Sequence, residues 1–310
     1  MSDAIARAET ILRATCGERV RTSFALAPLT TFRIGGPAAL YLEPDSEGDL
    51  AAASRAVVDA GIPFVVIGKG SNVLVSDAGF AGLVLRLGKG FRWAARDGER
   101  LTAGGAMPLP ALAGVAFSHG LAGLEFGVAI PATLGGAVRM NAGAHGREMA
   151  EVLERIEVFD LGGTRARQLP AGEAGFRYRD SSLPVESVVI GATLSLRMSP
   201  PGEIRARMDE AREWRRRTQP LAEPNCGSVF KNPPGEHAAR LVEEAGGKGL
   251  RVGGAQVSIK HANFIVADSG ARASDIVELI RTVQERVVAR SGIQLEAEVH
   301  LVGDFDRTPH

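Results

Sequence analysis

The 310-residue sequence has little cysteine, few aromatic residues and no excess of either charge. Its two cysteines, Cys16 and Cys226, are too few for a disulfide framework or a structural zinc site. The six histidines include no HExxH pair, so we expect no dedicated metal site. The 36 basic and 36 acidic residues balance, which is not the basic surface typical of a nucleic-acid binder. We therefore expect no nucleic-acid partner.

No apolar run is long enough to span a bilayer, so we expect no membrane association. Residues 1–15 contain acidic side chains and lack the apolar segment of a signal peptide, and their pattern predicts an amphipathic helix. These features favour a cytoplasmic protein. We also expect it to be a monomer.

Strand and helix signals alternate along the first two thirds of the chain. Strands are predicted at 62–68, 83–87, 101–105, 152–160 and 188–198, and a helix at 108–119. The sequence SPPG at 199–202 is the clearest break, and a helix is predicted after it.

The last third predicts strands within 257–268, followed by a long helix. Ser274 is the expected N-cap and Gly292 the expected stop of this helix. A final strand is predicted in 294–303, with Glu296, Glu298 and His300 on one face.

Three glycine-rich segments are candidates for ligand binding, the third being RIGGPA (33–38), and together they would suit a dinucleotide that lies extended across the domain. In IGKGSNVLV (67–75), glycines allow main-chain amides to approach an anion such as a diphosphate. The spacing matches neither the Rossmann nor the Walker pattern, and a simple tight turn remains the alternative. The second segment, AIPATLGGAVRMNAG, offers main-chain amides in an apolar setting, but a buried glycine-rich crossover between strands is equally compatible.

A separate segment, PNCGSVFKNP (224–233), holds Ser228 between Gly227 and an apolar Val229-Phe230 pair. A hydroxyl in this setting can act as a proton donor if its surroundings are electropositive and exclude water. By residue type alone, a turn serine that bonds its own backbone is the more common case.

Taken together, the motifs resemble those of the UDP-N-acetylenolpyruvoylglucosamine reductase family over about residues 20–303. The motifs that carry the resemblance, in order, are TFRIGGPA, IGKGSNVLVSD, GLEF, IPATLGGAVRMNAGAHG, FRYRDSSL, PNCGSVFKNP, AGGKGLRVGGAQVSIKHANFIV and LEAEV. The chain looks like the shorter type, which lacks a tyrosine-bearing insertion.

The resemblance implies an α+β fold with a two-part FAD-binding region of the vanillyl-alcohol-oxidase (PCMH) type and a C-terminal α+β substrate domain. We expect FAD subdomains at 1–88 and 89–199 and a UDP-sugar domain at 200–299. Residues 300–310 are a candidate to return to the first subdomain.

The family's reaction is the FAD-dependent reduction of UDP-N-acetylglucosamine enolpyruvate to UDP-N-acetylmuramate for peptidoglycan synthesis. NADPH is the implied reductant, the hydride comes from N5 of reduced FAD, and bound FAD is the implied cofactor. The implied cofactor-binding residues are Gly68, Lys69, Gly70, Ser71, Asn72, Pro131, Gly135, Gly136, Asn141, Gly143 and Ile190.

The resemblance also implies three catalytic residues: Ser228 as proton donor, Arg179 as a stabiliser of the developing enolate, and Glu298. Glu298 is preferred over Glu296 only by family position, and an Arg179–Asp180 salt bridge remains an alternative. The implied substrate-binding residues are Tyr178, Lys231, Asn232, His261 and Asn263.

Two alanines, Ala129 and Ala132, stand where many relatives have glycine, which leaves the local flavin-loop geometry open. Two other functions remain as alternatives: another FAD-dependent oxidoreductase of the same fold, or a non-catalytic UDP-sugar binding module. Neither explains all the motifs, because the first has no need of PNCGSVFKNP and the second has no need of the flavin loops.

Overall fold

The computed structural model describes residues 2–163 and 165–305. Its helices are α1 (Ser2–Cys16), α2 (Glu47–Ala60), α3 (Leu109–Ser118), α4 (Leu134–Arg139), α5 (Pro201–Thr218), α6 (Ala238–Glu244) and α7 (Ala273–Ser291). No helix in these ranges is long and apolar enough to cross a membrane.

Short strands make up the rest of the regular structure. They are β1 (Arg21–Ala25), β2 (Pro37–Leu42), β3 (Phe64–Val66), β4 (Val73–Val75), β5 (Phe80–Leu85), β6 (Ala94–Asp97), β7 (Arg100–Gly104), β8 (Leu121–Ala122), β9 (Gly143–Ala144), β10 (Arg147–Glu148), β11 (Leu153–Asp160), β12 (Arg165–Pro170), β13 (Ser187–Ser195), β14 (Arg197–Met198), β15 (Arg251–Val252), β16 (Ala255–Val257), β17 (Ile265–Ala267) and β18 (His300–Val302).

The chain divides into two compact units. The first contains Met1–Thr22, Ala39–Lys69 and Gly82–Trp214, and the second contains Ser23–Ala38, Gly70–Ala81 and Arg215–His310. The three-part division at residues 88 and 199 stays a prediction. Of the predicted return over 300–310, residues 306–310 lie outside the described residues.

A five-stranded sheet in the first unit has the order β12-β11-β13-β7-β6, with antiparallel neighbours. Side chains alternate across it, as a two-residue period requires. Val189 packs into a core with α3 and α4, whereas Val188 and Ile190 pack into a second core with α1 and α2. Both faces of β13 are therefore covered, which explains its nearly continuous apolar sequence.

The second unit has one core, built mainly from α6, α7 and the three-stranded sheet β15-β16-β17. Val229 and Phe230 of the PNCGSVFKNP segment are buried in this core. In the same unit, β4 pairs in parallel with β18, so that Val73 lies opposite His300. The loop that precedes β4 is thereby placed beside the start of the last strand.

Most predicted elements are confirmed near their predicted bounds, but two details are wrong. The N-cap of α7 is Arg272, not Ser274, because the carboxylate of Asp77 accepts the Ala273 and Ser274 amides at 2.8 and 3.1 Å. The final strand is regular only over His300–Val302, with one isolated bridge between Ala297 and Phe230 before it.

Candidate active site

The first glycine-rich loop follows β3 and contains a row of unpaired amides. Within the described part of the chain, the main-chain N–H groups of residues 68–72 donate no hydrogen bond. Gly70 has φ +63°, and its carbonyl accepts a hydrogen bond from the Thr31 amide at 3.0 Å. Lys69 is exposed, and Ser71 is partly buried. Successive unpaired amides are the donors that a diphosphate needs.

Gly68, at the start of the first predicted flavin loop, packs against the second loop within the first unit. A Cβ on Gly68 would lie 2.5 Å from Oγ1 of Thr133, the N-cap of α4. Thr133 Oγ1 accepts the Gly136 amide at 3.3 Å, and exposed Pro131 lies two residues before Thr133. Gly68 is therefore required for close packing of the two loops.

The start of α4 also packs tightly on the five-stranded sheet. A Cβ on Gly135 would lie 2.8 Å from the Val189 carbonyl oxygen. The Gly135 amide donates to the Gly105 carbonyl at 2.9 Å, and the Gly105 amide donates to the Ile190 carbonyl at 2.6 Å. Gly135 and Ile190 are thus joined through Gly105, and the Ile190 side chain itself belongs to the core.

Asn141 and Gly143 lie beside the FRYRDSS segment. The Asn141 side chain is fully buried. Its Nδ2 donates to the Arg177 carbonyl at 3.0 Å, and its Oδ1 accepts the Ala150 amide at 2.9 Å. The Gly143 carbonyl accepts Arg179 Nη2 at 2.8 Å. These two predicted flavin-binding residues are therefore also supports for the segment that carries Arg179.

Arg179 occupies a strained turn position. The Arg177 amide donates to the Asp180 carbonyl at 3.0 Å, and the Asp180 amide donates back at 3.2 Å, which closes a turn over 177–180. Arg179 has φ +56° at the third position of this turn, where glycine is usual. Its guanidinium lies 4.8 Å from the centre of the exposed Tyr178 ring. Strain of this kind is common at functional sites and persists where other contacts enforce it.

Ser228 lies in a loop whose neighbouring main-chain groups are paired. Among the described residues, the Ser228 hydroxyl, N–H and C=O make no hydrogen bond. Gly227 before it has φ +81°, and its amide donates to Asn225 Oδ1 at 3.0 Å. The hydroxyl is partly buried and is not used by its own backbone, unlike that of an ordinary turn serine.

Glu298 lies in a segment that runs antiparallel to the residues after Ser228. The Glu298 amide donates to the Val229 carbonyl at 2.7 Å. The Glu298 carbonyl accepts Asn72 Nδ2 at 3.2 Å, which links the end of the first glycine loop to this strand. Burial raises the pKa of the nearby Cys226 thiol, and the charge of Glu298 raises it further. Cys226 is therefore a buried neutral thiol.

Lys231 and Asn232 have protein partners of their own. Lys231 Nζ lies 2.7 Å from Glu296 Oε1, whose side chain is 71% exposed. Asn232 is exposed, and its Oδ1 accepts the Ala238 amide at the start of α6 at 2.9 Å. Glu296 is therefore a surface partner of Lys231, which distinguishes it from the partly buried Glu298.

Asn263 and His261 lie behind the Ser228 loop. Asn263 is buried, and its Oδ1 and Nδ2 bond the Phe230 amide and carbonyl, each at 2.9 Å. His261 Nδ1 accepts the Asn263 amide at 3.2 Å, and its ring packs edge-on against Phe264. Burial lowers the pKa of His261, with a further contribution from Lys248. The imidazole is thus favoured in its neutral form.

Comparison with known proteins agrees with this geometry. Residues 219–302 match the family model of the UDP-N-acetylenolpyruvoylglucosamine reductase C-terminal domain, and residues 38–167 match an FAD binding domain. A reductase of the same name from Heliobacterium modesticaldum is 48% identical over 89% of this chain and 88% of its own length. The chain belongs to the UDP-N-acetylenolpyruvoylglucosamine reductase family.

Further comparisons support this membership. A relative of the same name from Anaeromyxobacter sp. strain Fw109-5 is 48% identical over 98% of this chain and 94% of its own length. The crystal structure of the Thermus caldophilus member of the reductase family superposes with a TM-score of 0.80 at 39% identity, covering 91% of this chain and 99% of that one.

A more distant solved structure shares only the fold. The glucose dehydrogenase Phl p 4.0202 matches with a TM-score of 0.51 and 11% identity, over 63% of this chain and 44% of its own. The predicted fold class is confirmed: the chain is α+β and combines an FAD-binding region of the vanillyl-alcohol-oxidase type with the reductase family's C-terminal domain.

The residues present fit a bound flavin dinucleotide. The unpaired amides of 68–72 supply diphosphate donors, and Gly68 packs closely against Thr133 of the second loop. Thr133 and Asn225 were not singled out from the sequence. The signals for them were the Thr-x-x-Gly spacing before a helix and an asparagine two residues before a glycine.

Proposed function

We propose that the chain catalyses the reduction of UDP-N-acetylglucosamine enolpyruvate to UDP-N-acetylmuramate, with NADPH as the reductant and FAD as the bound cofactor. The carbon–carbon double bond of the enolpyruvyl ether gains one hydride and one proton and becomes a lactyl ether. NADPH loses the hydride and becomes NADP⁺. Family membership and the match to an FAD binding domain support this reaction class.

FAD, when bound, supplies a two-electron centre that accepts a hydride from one partner and donates it to another. The protein must hold this group and position the substrate. We assign the diphosphate to the amides of residues 68–72 and the remaining flavin contacts to the segment from Pro131 to Gly143. The unpaired amides support the first assignment.

We assign the proton transfer to Ser228. The observation that carries this assignment is the partly buried Ser228 hydroxyl, which makes no hydrogen bond with any described residue although the main chain on both sides of it is paired. A hydroxyl that is held in place and not used by the protein is available to donate its proton to the carbon next to the carboxylate.

Glu298 and Arg179 complete the proposed catalytic set. Glu298 is held one residue along the ladder from Ser228, through the bond from its amide to the Val229 carbonyl. We propose that its carboxylate orients the proton donor or the enolate. We propose that Arg179 stabilises the charge that develops on the substrate carboxylate, because a guanidinium stays charged and can bind a carboxylate through two hydrogen bonds.

Lys231, Asn232, His261 and Tyr178 remain predicted substrate-binding residues, whereas both polar side-chain atoms of Asn263 bond the main chain of Phe230. Lys231 is held by an exposed carboxylate, and screening by water makes such a pair weak, so a diphosphate can compete for the lysine. The monomeric state and the cytoplasmic location also remain predictions.

The test is anaerobic flavin absorbance of the purified protein. NADPH is added first, and loss of the oxidised flavin band is expected. UDP-N-acetylglucosamine enolpyruvate is then added, and rapid return of the band with formation of UDP-N-acetylmuramate is expected. Loss of the band without recovery would instead identify a flavoenzyme with another acceptor, and a protein that takes up no FAD would contradict the proposal entirely.

A further inference from the structure

The loop around Ser228 is held by side-chain amides on both sides. On the C-terminal side of Ser228, the Asn263 side chain bonds both main-chain polar groups of Phe230 at 2.9 Å. The main-chain carbonyl of Asn263 accepts the Val229 amide, also at 2.9 Å. Asn263 is buried, so these bonds are shielded from water. Three main-chain groups of the two residues after Ser228 are thus fixed by one asparagine.

On the N-terminal side of Ser228, the loop is held by Asn225. Its Oδ1 accepts the Gly227 amide at 3.0 Å, and its Nδ2 donates to the Pro220 and Glu223 carbonyls at 3.0 and 2.7 Å. The bond to Gly227 supports the positive φ of that residue, which sets the direction in which the chain enters Ser228.

Between these two supports, Ser228 has no hydrogen bond of its own to any described residue. No hydrogen bond to a described residue therefore fixes the position of its hydroxyl. Its placement therefore depends on the main chain at residues 227 and 229–230, which is where the two asparagines bond.

We propose that Asn225 and Asn263 are positioning residues that hold the Ser228 hydroxyl for proton transfer. This inference rests on the proposed function. Asn263 was predicted above to bind substrate, but both polar atoms of its side chain are already used by Phe230. It acts through the loop and not through contact with the substrate.

Variants of the two asparagines test this inference by removing their side-chain hydrogen bonds selectively. Asn225→Asp keeps an acceptor for the Gly227 amide and loses the two donor bonds, whereas Asn225→Ala loses all three. Asn263→Asp keeps an acceptor for the Phe230 amide and loses the donor. Gln256→Ala is the matched control, because Gln256 Nε2 donates to the Gly249 carbonyl at 3.1 Å elsewhere in the same unit.

The two half-reactions are followed separately by stopped-flow absorbance. The Ala variant of Asn225 is expected to keep its FAD and the rate of flavin reduction by NADPH. Its reoxidation by UDP-N-acetylglucosamine enolpyruvate is expected to slow by about 10²-fold, the loss typical of a misplaced catalytic group. The solvent deuterium isotope effect on this step should rise, because proton transfer becomes rate-limiting, and Asn225→Asp should restore most of the rate. Asn263→Asp should slow the same step selectively.

Equal effects on both half-reactions, or an unchanged isotope effect, would show a merely structural role and overturn the inference. If Asn263 variants fail to fold, the partly buried Asn225 still decides the question. A wild-type protein that is not reoxidised by the substrate contradicts the proposed function. A competent wild type with unaffected Asn225→Ala and Asn263→Asp variants contradicts only this inference.

Discussion

Replacement of Gly70 by alanine should disrupt the first glycine loop. The new Cβ would lie 2.0 Å from the Leu29 carbonyl oxygen and 2.7 Å from the Thr30 Cα. The first distance is roughly 1.5 Å shorter than a normal contact of about 3.5 Å. Both neighbours are main-chain atoms, so no side-chain rotation relieves the overlap. The loop must move, and the bond from the Thr31 amide to the Gly70 carbonyl is weakened.

The size of the effect follows from two contributions. Alanine at positive φ costs about 1 kcal/mol, and overpacking adds about 1–3 kcal/mol. We therefore expect the free energy of unfolding to fall by about 2–4 kcal/mol, a large part of a typical stability of about 5–15 kcal/mol. Because the amides of 68–72 move with Gly70, the purified protein should also contain less FAD.

Gly61→Ala is the matched control. Gly61 has φ +64°, close to the +63° of Gly70, but a Cβ there meets nothing within 4 Å. This variant should lose only about 1 kcal/mol and keep its flavin. Urea denaturation and the ratio of flavin to protein absorbance measure both quantities. Equal losses in the two variants would refute the argument from close packing.

Three further predictions concern other parts of the chain. Hydrogen bonds from Arg19 lower the pKa of buried Asp49 to about 2, so this carboxylate adds roughly 2 kcal/mol of stability at neutral pH. That stability is present above about pH 4 and should be lost as the pH falls toward about 2. In denaturation experiments, the free energy of unfolding of Asp49→Asn should depend less on pH over this range than that of the wild type. Asn141→Ala leaves the Ala150 amide unpaired and removes one of the two hydrogen bonds to the Arg177 carbonyl. This should lower the free energy of unfolding by about 2 kcal/mol, measured in urea, and no loss would contradict the supporting role of Asn141. Glu298→Gln should slow flavin reoxidation by about 10²-fold. Glu296→Gln should reoxidise within about twofold of the wild-type rate, because the pair of Glu296 with Lys231 is exposed. A larger loss in Glu296→Gln than in Glu298→Gln would assign the catalytic role to Glu296.

Local signals in the sequence were sufficient for most of the secondary structure. The helix predicted at 108–119 forms over Leu109–Ser118, and Gly292 ends the last helix with φ +72° as expected. The start of that helix was not predictable locally, because Asp77, nearly 200 residues earlier, accepts its first amides. The last strand is shorter than its alternating pattern indicates, because regular pairing with β4 begins only at His300.

The candidate site was predictable as a set of motifs but not as a set of contacts. Ser228 stood out through its neighbours, but the availability of its hydroxyl depends on hydrogen bonds made by Asn225 and Asn263. The glycines of the flavin loops were read as ligand contacts. In the structure, Gly68 and Gly135 also allow close contact with Thr133 and the Val189 carbonyl. Sequence patterns do not distinguish a glycine that admits a ligand from one that admits a neighbouring loop.

The most direct test of the proposed mechanism is the rate of flavin reoxidation in Ser228→Ala. The variant is reduced with NADPH without oxygen and mixed with UDP-N-acetylglucosamine enolpyruvate in a stopped-flow instrument. We predict that FAD content and reduction by NADPH stay at wild-type values, while reoxidation slows by about 10²–10⁴-fold, the contribution typical of a general acid. Reoxidation near the wild-type rate would contradict the assignment of Ser228 as the proton donor.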